Sequence, residues 1–299
     1  MPGLWIVFTL AAAGAQTARN AMQRDLIATL GAGGATTVRF LFGLPFAIVF
    51  LALVLVTTGA PLRAHGATGL VWTFVGAVAQ IGATGLMLMA MQHRSFVVAI
   101  AYTKTEPVLV ALFGLVILGD HVTPLLATAI ALATGGVLLM SWPRKSAAGE
   151  EAAFTWRPAI WGVASAALFA LSAVGYRAGI LSLAPANFVT AASTTLLIAL
   201  AIQSALIVGV LMVINRALLT KIFGAWRPSL FAGFMGALAS QFWFLAFAID
   251  TAARVRTLAL VEIIFAQLVS RKLFGQGTSV REWVGIGLMV IGVALLVSG

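Results

Sequence analysis

A lysine, a glutamate and a proline lie close together inside an otherwise apolar run. Lys104, Glu106 and Pro107 fall in the stretch AIAYTKTEPVLVALFG, residues 99–114. An ionisable side chain at the centre of a bilayer costs about 2.5–3.5 kcal/mol on insertion scales, so it usually faces water or a partner. The lysine ammonium can bind a carboxylate, and the glutamate can bind an ammonium or carry a proton. Alternatively, Lys104 pairs with a glutamate of another helix and only holds the helices together.

The spacing of these residues argues against a simple ion pair on one straight helix. At about 100° per residue, Lys104 and Glu106 point about 200° apart. Pro107 has no N–H for the carbonyl of Thr103, and its ring crowds that turn. We therefore predict a kink or an unwound turn at Pro107, which changes the direction of Lys104. Tyr102 lies four residues before Glu106, shares its helix face and is expected to line the same cavity.

A second glutamate and several polar or aromatic side chains in other apolar runs complete the candidate binding site. For Glu262, binding a cationic group and holding a helix in place are equally good interpretations. Mixed aromatic and amide side chains are typical of pockets for amphipathic small molecules. Trp243 fits such a pocket, but it can also pack in the core or face lipid. The remaining candidates are Gln16, Asn20, Gln80, Tyr176 and Gln241.

These candidates belong to a chain with the composition of a polytopic membrane protein. Of its 299 residues, 62% are hydrophobic and only 9% are charged, whereas soluble domains carry roughly 25% charged residues. A helix needs about 20 apolar residues to cross the bilayer core. This length predicts ten spans, of which the first is interpreted as a true span and not as a removed signal peptide. The predicted spans are residues 3–22, 34–57, 69–91, 96–118, 123–142, 158–180, 187–213, 228–249, 256–274 and 282–298.

The second half of the chain repeats the first. An offset of 156 residues aligns the two halves and pairs Glu106 with Glu262. A five-helix unit enters the membrane from the opposite side when it is repeated, so the two repeats are inverted. The expected fold is therefore all-α, with ten transmembrane helices arranged as two inverted five-helix repeats around a central cavity. The predicted units are residues 1–142 for the first repeat, 143–157 for the connecting loop and 158–299 for the second repeat.

The basic residues predict an orientation in the membrane. Of 18 lysines and arginines, eleven fall in loops on the side opposite to the termini. The positive-inside rule then places both termini outside the cytoplasm. Three more lie on the terminal side, namely Arg63, Arg254 and Arg256. Three others lie near predicted span ends, where long side chains reach the lipid headgroups; these are Arg19, Arg39 and Arg177.

Several classes of function are disfavoured by what the sequence lacks. It has no cysteine, and its three scattered histidines show no metal-ligand spacing. No catalytic-triad order or nucleotide motif is present, so we expect no cofactor, no metal and no enzymatic activity. The net charge of +10 comes without a basic cluster, so a nucleic-acid partner is not expected. A small-molecule substrate and the lipid bilayer are the expected partners.

Several of these features resemble the drug/metabolite transporter superfamily, including its ten-helix amino-acid and metabolite exporters. They are the five-helix repeats, the arginine that opens TTVRFLFGLPFAIVFLAL and the run TEPVLVALFGLVILGDHVTPLLATAIALATGGVLLMS. The sequence has Gly119-Asp120 and Gly275-Gln276 where members often have Gly-Glu. The resemblance implies a multi-pass transporter of the inner cell membrane that works by alternating access. It also implies cytoplasmic termini, in conflict with the loop charges.

The substrate is expected to be a small zwitterion. The mixed charges of Lys104, Glu106 and Glu262, together with the resemblance, favour export of amino acids, including aromatic ones, or of their relatives. A proton or another coupling ion is an expected partner, because no domain that could use ATP is present. Export of lipophilic cations or drugs is the alternative, although Lys104 disfavours it. A membrane scaffold or an intramembrane enzyme is a remote alternative, and both a monomer and a homodimer fit the sequence.

Overall fold

The computed structural model describes residues 3–93, 103–141, 156–264 and 280–298, and within these ranges every regular element is a helix. The all-helical prediction is therefore confirmed. The first half contains α1 (Leu4–Leu41), α2 (Leu44–Thr58), α3 (Ala67–His93), α4 (Glu106–Phe113) and α5 (Pro124–Ser141). The second half contains α6 (Trp156–Leu181), α7 (Phe188–Ile214), α8 (Arg216–Gly224), α9 (Trp226–Ile249), α10 (Ala252–Leu258) and α11 (Val280–Ser298). A π-helical turn, Gly114–Leu118, extends α4, and a 3₁₀ turn, Ala259–Val261, follows α10.

The helices have the lengths and surfaces of membrane spans. Within the described residues, five segments are long and apolar enough to cross a membrane, and they are Leu4–Thr58, Ala67–Met91, Ile160–Leu181, Phe188–Ile214 and Trp226–Ile249. Three shorter apolar helices are Glu106–Leu118, Pro124–Leu139 and Trp283–Ser298. Large apolar side chains cover the outside of the bundle, with Val56 82% and Val213 87% exposed. Lipid contact explains such exposure, which water would penalise. Parts of the predicted fourth and ninth spans, 96–102 and 265–274, lie outside the described residues.

The first two predicted spans meet differently from the prediction. Helix α1 continues through the expected loop and changes direction at Gly31, where φ is 67°, a conformation that glycine adopts without strain. The predicted second span is itself divided, because α1 ends at Leu41 and α2 begins at Leu44. At this break α9 approaches closely, since a Cβ on Gly233 would lie 2.5 Å from the carbonyl carbon of Phe42. The short helix α8 was not predicted.

Most of the closest helix contacts join one half of the chain to the other. Helix α1 packs against α9, and α3 packs against α6. The repeat pairs α1 with α6 and α3 with α9, so these two contacts are equivalent to each other. Helices α2, α4 and α5 contact their own repeat equivalents, α7, α10 and α11. This is the pattern that a two-fold relation between two five-helix units produces, and it places the middle of α1, α4 and α10 at the centre.

Candidate functional site

Two interrupted helices, one from each half, position the central charged residues. In the first half a turn at residues 104–105 precedes α4, so Lys104 lies in the turn and Glu106 is the first residue of the helix. Pro107 stands in the first turn of α4, where its missing N–H is not needed. In the second half, Glu262 directly follows the 3₁₀ turn. Transporters commonly place binding groups at such broken helices near the membrane midplane.

Lys104 and Glu262 form a buried ion pair between the halves. The Nζ atom of Lys104 donates to Oε2 of Glu262 at 2.7 Å. The two side chains are only 10% and 4% exposed. The structure therefore contains the partner glutamate that the sequence offered as an alternative for Lys104. Because each member comes from a different repeat, this pair joins the two halves at their interface.

A second buried ion pair crosses the same interface with the opposite polarity. The Glu106 carboxylate oxygen Oε1 lies 3.1 Å from Nε of Arg256. This contact is ionic and not a hydrogen bond, because neither atom has a hydrogen-bond partner in the described part of the chain. The Arg256 guanidinium also stacks over the Trp243 ring at 4.4 Å and over the Phe247 ring at 5.3 Å. These contacts hold Arg256 in place on three sides.

The sequence missed Arg256 because it was assigned to a loop on the terminal side. The structure corrects this, since Arg256 is 7% exposed and lies within α10. Thr251 caps that helix by accepting the N–H of Arg254. Arg256 nevertheless opened the predicted ninth span, six residues before Glu262. An arginine and a glutamate inside one apolar run carried the same signal as Lys104 and Glu106.

Two amide groups of α1 bind Glu262, and an indole group of α9 binds one of these amides. Gln16 donates to Oε2 of Glu262 at 3.1 Å, and Asn20 donates to Oε1 at 3.2 Å. The indole N–H of Trp243 in turn donates to Oε1 of Gln16 at 3.0 Å. Three residues that were predicted separately, Gln16, Asn20 and Lys104, therefore bind the Glu262 carboxylate, and Trp243 is connected to it through Gln16.

Two arginines expected to reach the lipid headgroups are instead buried. Arg19 is 1% exposed and Arg39 is 3% exposed. Arg19 donates through Nε and Nη2 to Oδ1 of Asn20, at 3.2 and 2.6 Å, and Arg39 donates to the Thr84 hydroxyl at 2.7 Å. The prediction was wrong because α1 is longer than one span. Arg19 lies roughly 22 Å along α1 from Leu4, at 1.5 Å per residue, which is still inside a bilayer core about 30 Å thick.

Three other predicted residues lie elsewhere in the bundle. Gln80 and Tyr176 bond to each other at 3.1 Å, and Gln203 donates to both at 2.9 Å. Gln241 donates to the Ser193 hydroxyl at 2.9 Å. In the described residues, the side-chain hydrogen bonds of Gln80, Tyr176 and Gln241 therefore do not reach the charged groups of the central ion pairs. Tyr102 lies outside the described residues.

The cavity at the central charges is small in this conformation. It has a volume of about 20 Å³, which is close to the minimum of about 10–15 Å³ that one water requires. The charged side chains that line it are Arg19, Lys104, Glu106, Arg256 and Glu262. The predicted central cavity is thus present but closed, because pockets that hold small molecules have volumes of about 300–1,000 Å³.

A second group of charged residues closes the end of the bundle where the chain termini lie. Arg177 donates to Oδ1 of Asp120 at 3.0 Å and to the carbonyl of Asp250 at 3.0 Å. Asp250 pairs with Arg254 at 3.3 Å. Arg177 is therefore an ion-pair residue between the halves and does not simply extend to the headgroups. Beside this group lies a pocket of about 240 Å³ lined by His121, Thr123, Leu125, Leu126, Asp250, Thr251, Arg254, Leu295 and Leu296.

Arg254 connects this closure to the first and last helices. Its guanidinium lies over the Trp5 ring at 5.1 Å and donates to the carbonyl of Leu296 at 3.2 Å. Among the residues that the structure describes, no group of three metal-binding side chains occurs. Both clusters contain ion pairs, and the central one also contains Arg19 and the aromatic rings of Trp243 and Phe247.

The sequence and the fold were compared with those of known proteins. Residues 3–142 match the model of the EamA-like transporter family. A crystal structure of a protein with 14% sequence identity superposes with a TM-score of 0.70, covering 99% of this chain and 96% of its own. At this identity the likeness concerns the fold alone, and it extends over both halves. No curated protein sequence matches this chain.

Proposed function

Because residues 3–142 match the model of the EamA-like transporter family, we propose that this chain exports amino acids or related zwitterions across the inner cell membrane. The family consists of membrane transporters of small molecules, not of enzymes. The resemblance to drug/metabolite transporters is confirmed by the match. The choice of substrate, the outward direction and the inner membrane are the proposed part.

The single observation that carries the proposal is the crossed pair of ion pairs at the interface between the halves. Each half supplies one cation and one anion, through Lys104 and Glu106 on one side and Arg256 and Glu262 on the other. A zwitterion carries the same two charges close together. It can therefore replace one internal partner in each pair, with its carboxylate on the cation of one pair and its ammonium on the glutamate of the other.

This replacement supports alternating access as the mechanism. Separating the pairs without a ligand leaves buried charges without partners, which costs several kcal/mol per ion. A bound zwitterion restores a partner for one of those cations and one of those carboxylates, and so lowers the free energy of the separated arrangement. The ion pairs of Arg177 and Arg254 near the termini supply the closure on one side of the membrane.

The second candidate, export of lipophilic cations, has weaker support. The aromatic rings of Trp243 and Phe247 suit an organic cation, but Arg256 already stacks on both. The lining of the central cavity also carries three cations and two carboxylates. A cationic drug would enter a site with excess positive charge, so we retain the zwitterion as the substrate class.

Counterflow in liposomes tests the proposal. Liposomes that contain the purified full chain are loaded with unlabelled amino acids. Uptake of a labelled amino-acid panel is then measured for wild type, Lys104→Ala, Glu106→Gln and Glu262→Gln. We expect exchange of at least one amino acid by wild type and loss of most of it in each variant. Gln241→Ala is the matched control, because Gln241 is buried and hydrogen-bonded but contacts Ser193.

Two outcomes contradict the proposal. Wild-type flux in all three site variants would show that the central charges do not bind the substrate. Absence of amino-acid exchange together with uptake of cationic dyes would replace the zwitterion with the lipophilic cation as the substrate class.

A further inference from the structure

We propose that Arg19 binds the carboxylate of the transported zwitterion. The proposal rests on the function proposed above and assigns a role that sequence analysis had given to Lys104. It follows from the partners of the three cations around the central cavity. Two of these cations have a carboxylate partner in the crossed ion pairs, and Arg19 is the third.

Lys104 and Arg256 are not available as the first contact for a carboxylate. Lys104 donates to Glu262 at 2.7 Å and is itself 8% exposed. Arg256 lies 3.1 Å from the Glu106 carboxylate and stacks over the Trp243 ring. An incoming anion would have to displace a glutamate from either residue, which raises the free energy of the first contact.

Arg19 has both a charge and a hydrogen-bond donor to offer. Its only hydrogen-bond acceptor in the described ranges is the neutral Oδ1 atom of Asn20. The Nη1 atom is buried and has no hydrogen-bond partner among those residues. An arginine stays protonated in proteins, so this charge cannot be removed by loss of a proton. In the described residues its hydrogen bonds reach only a neutral amide oxygen, whereas an arginine and a carboxylate form a stronger and often bidentate pair.

The position of Arg19 matches the opposite end of a zwitterion. Arg19 and Glu106 line the same cavity, and Oε1 of Glu106 also lacks a hydrogen-bond partner in the described residues. A cation without an ion-pair partner in the described residues and a carboxylate whose contact with Arg256 is only ionic therefore line the same small volume. A molecule with a carboxylate and an ammonium on neighbouring atoms fits this arrangement, whereas an amine without a carboxylate leaves Arg19 unpaired.

Binding at Arg19 also reaches the ion pair that joins the halves. Asn20 accepts from Arg19 and donates to Oε1 of Glu262, and Glu262 holds Lys104. A carboxylate on Arg19 competes with the Asn20 oxygen and frees that amide to turn. Substrate recognition at α1 is thereby connected to the Lys104–Glu262 pair through a single side chain.

Equilibrium binding to the purified full chain in detergent tests the assignment. The amino acid with the largest counterflow is used as the radiolabelled ligand, and the unlabelled amino acid and its carboxamide compete against it. The two competitors differ only in the negative charge. We expect wild type to prefer the acid by about ten- to a hundredfold, the range that a charge-assisted hydrogen bond contributes.

Arg19→Gln should abolish this preference, because it weakens the affinity for the acid while the affinity for the carboxamide changes by less than about threefold. Arg19→Lys keeps the charge without the fork of donors, so it should retain a reduced preference for the acid; this variant serves if Arg19→Gln does not fold. Arg39→Gln is the matched control, because Arg39 is equally buried but bonds to Thr84, and it should keep the wild-type ratio.

The possible failures are distinguishable. Arg19 does not bind the carboxylate if Arg19→Gln or Arg19→Lys lowers the affinities for the acid and the carboxamide by the same factor, or lowers neither. The proposed function would still stand in that case. If wild type binds no amino acid at all, the proposed function itself is wrong, and with it the assignment of Arg19. An equal loss of acid preference in Arg39→Gln would also overturn the assignment, because the effect would then belong to the bundle and not to one residue.

Discussion

The coupling between Lys104 and Glu262 can be measured with a double-mutant cycle. We consider Lys104→Met, Glu262→Leu and the double variant. Removing one partner of a buried ion pair destabilises proteins by about 3–5 kcal/mol. The structure predicts that the two single variants differ, because the surviving residue keeps different partners in each case.

After Lys104→Met, the remaining carboxylate is still hydrogen-bonded. Glu262 keeps the amide donors of Gln16 and Asn20, at 3.1 and 3.2 Å. We therefore expect Lys104→Met to lower the free energy of unfolding by about 3 kcal/mol, the lower end of this range. After Glu262→Leu, Lys104 loses the one hydrogen-bond acceptor that the described residues give it, so we expect about 5 kcal/mol. The coupling energy between the two sites should be about 2 kcal/mol, the contribution of a charged hydrogen bond.

The assay is equilibrium unfolding of the purified protein in detergent, followed by circular dichroism. The matched control combines Lys104→Met with Gln241→Ala, which should be additive within about 0.5 kcal/mol because the two residues share no partner. A coupling energy below about 0.5 kcal/mol for the ion pair would refute the reasoning. So would a larger destabilisation by Lys104→Met than by Glu262→Leu.

Three further predictions address regions away from the central cavity. Arg177→Gln should increase the labelling of an introduced Leu126→Cys by an impermeant maleimide, because it opens the closure near the termini; the chain has no cysteine to interfere, and unchanged labelling would contradict this role. Burial lowers the pKa of His65 below its usual 6.5, so the stability present above pH 6.5 should fall as the pH decreases below it, and His65→Gln should flatten this dependence in thermal unfolding. Gly136→Ala should destabilise by about 1–3 kcal/mol, since its Cβ would lie 2.5 Å from the Gly285 carbonyl oxygen. Gly135→Ala is its control, with no atom within 4 Å, and equal effects of the two substitutions would argue against close packing there.

The helices were predictable because long apolar runs leave few alternatives in a membrane. Most predicted boundaries that fall on described residues, such as 187–213 for Phe188–Ile214, differ by only one or two residues. The exceptions are at Gly31, at the Leu41–Leu44 break and at the start of the ninth span, which was predicted at 256 whereas α10 begins at Ala252. At the Leu41–Leu44 break, Gly233 of α9 packs closely on Phe42, and hydropathy along the sequence does not contain such a contact.

The central residues were predictable in type but not in pairing. Charges inside apolar runs need partners, and Lys104, Glu106 and Glu262 do form buried ion pairs, whereas their binding of a substrate stays a prediction. The partner of Glu106 was missed, since Arg256 was counted as a loop residue. Arg19 was missed because its depth depends on the length of α1. Basic residues are assigned to loops by rules that describe averages, whereas burial is decided by contacts between helices that are distant in sequence.

The crossed polarity of the two ion pairs has an electrical consequence. Each half contributes one positive and one negative side chain, so a rocking motion of the halves carries no net charge from these four groups through the membrane field. A zwitterion adds none either. One elementary charge crossing 100 mV corresponds to about 2.3 kcal/mol. The voltage dependence of transport should therefore report the coupling ions together with two buried arginines, Arg19 and Arg39, which form no ion pair within the described residues.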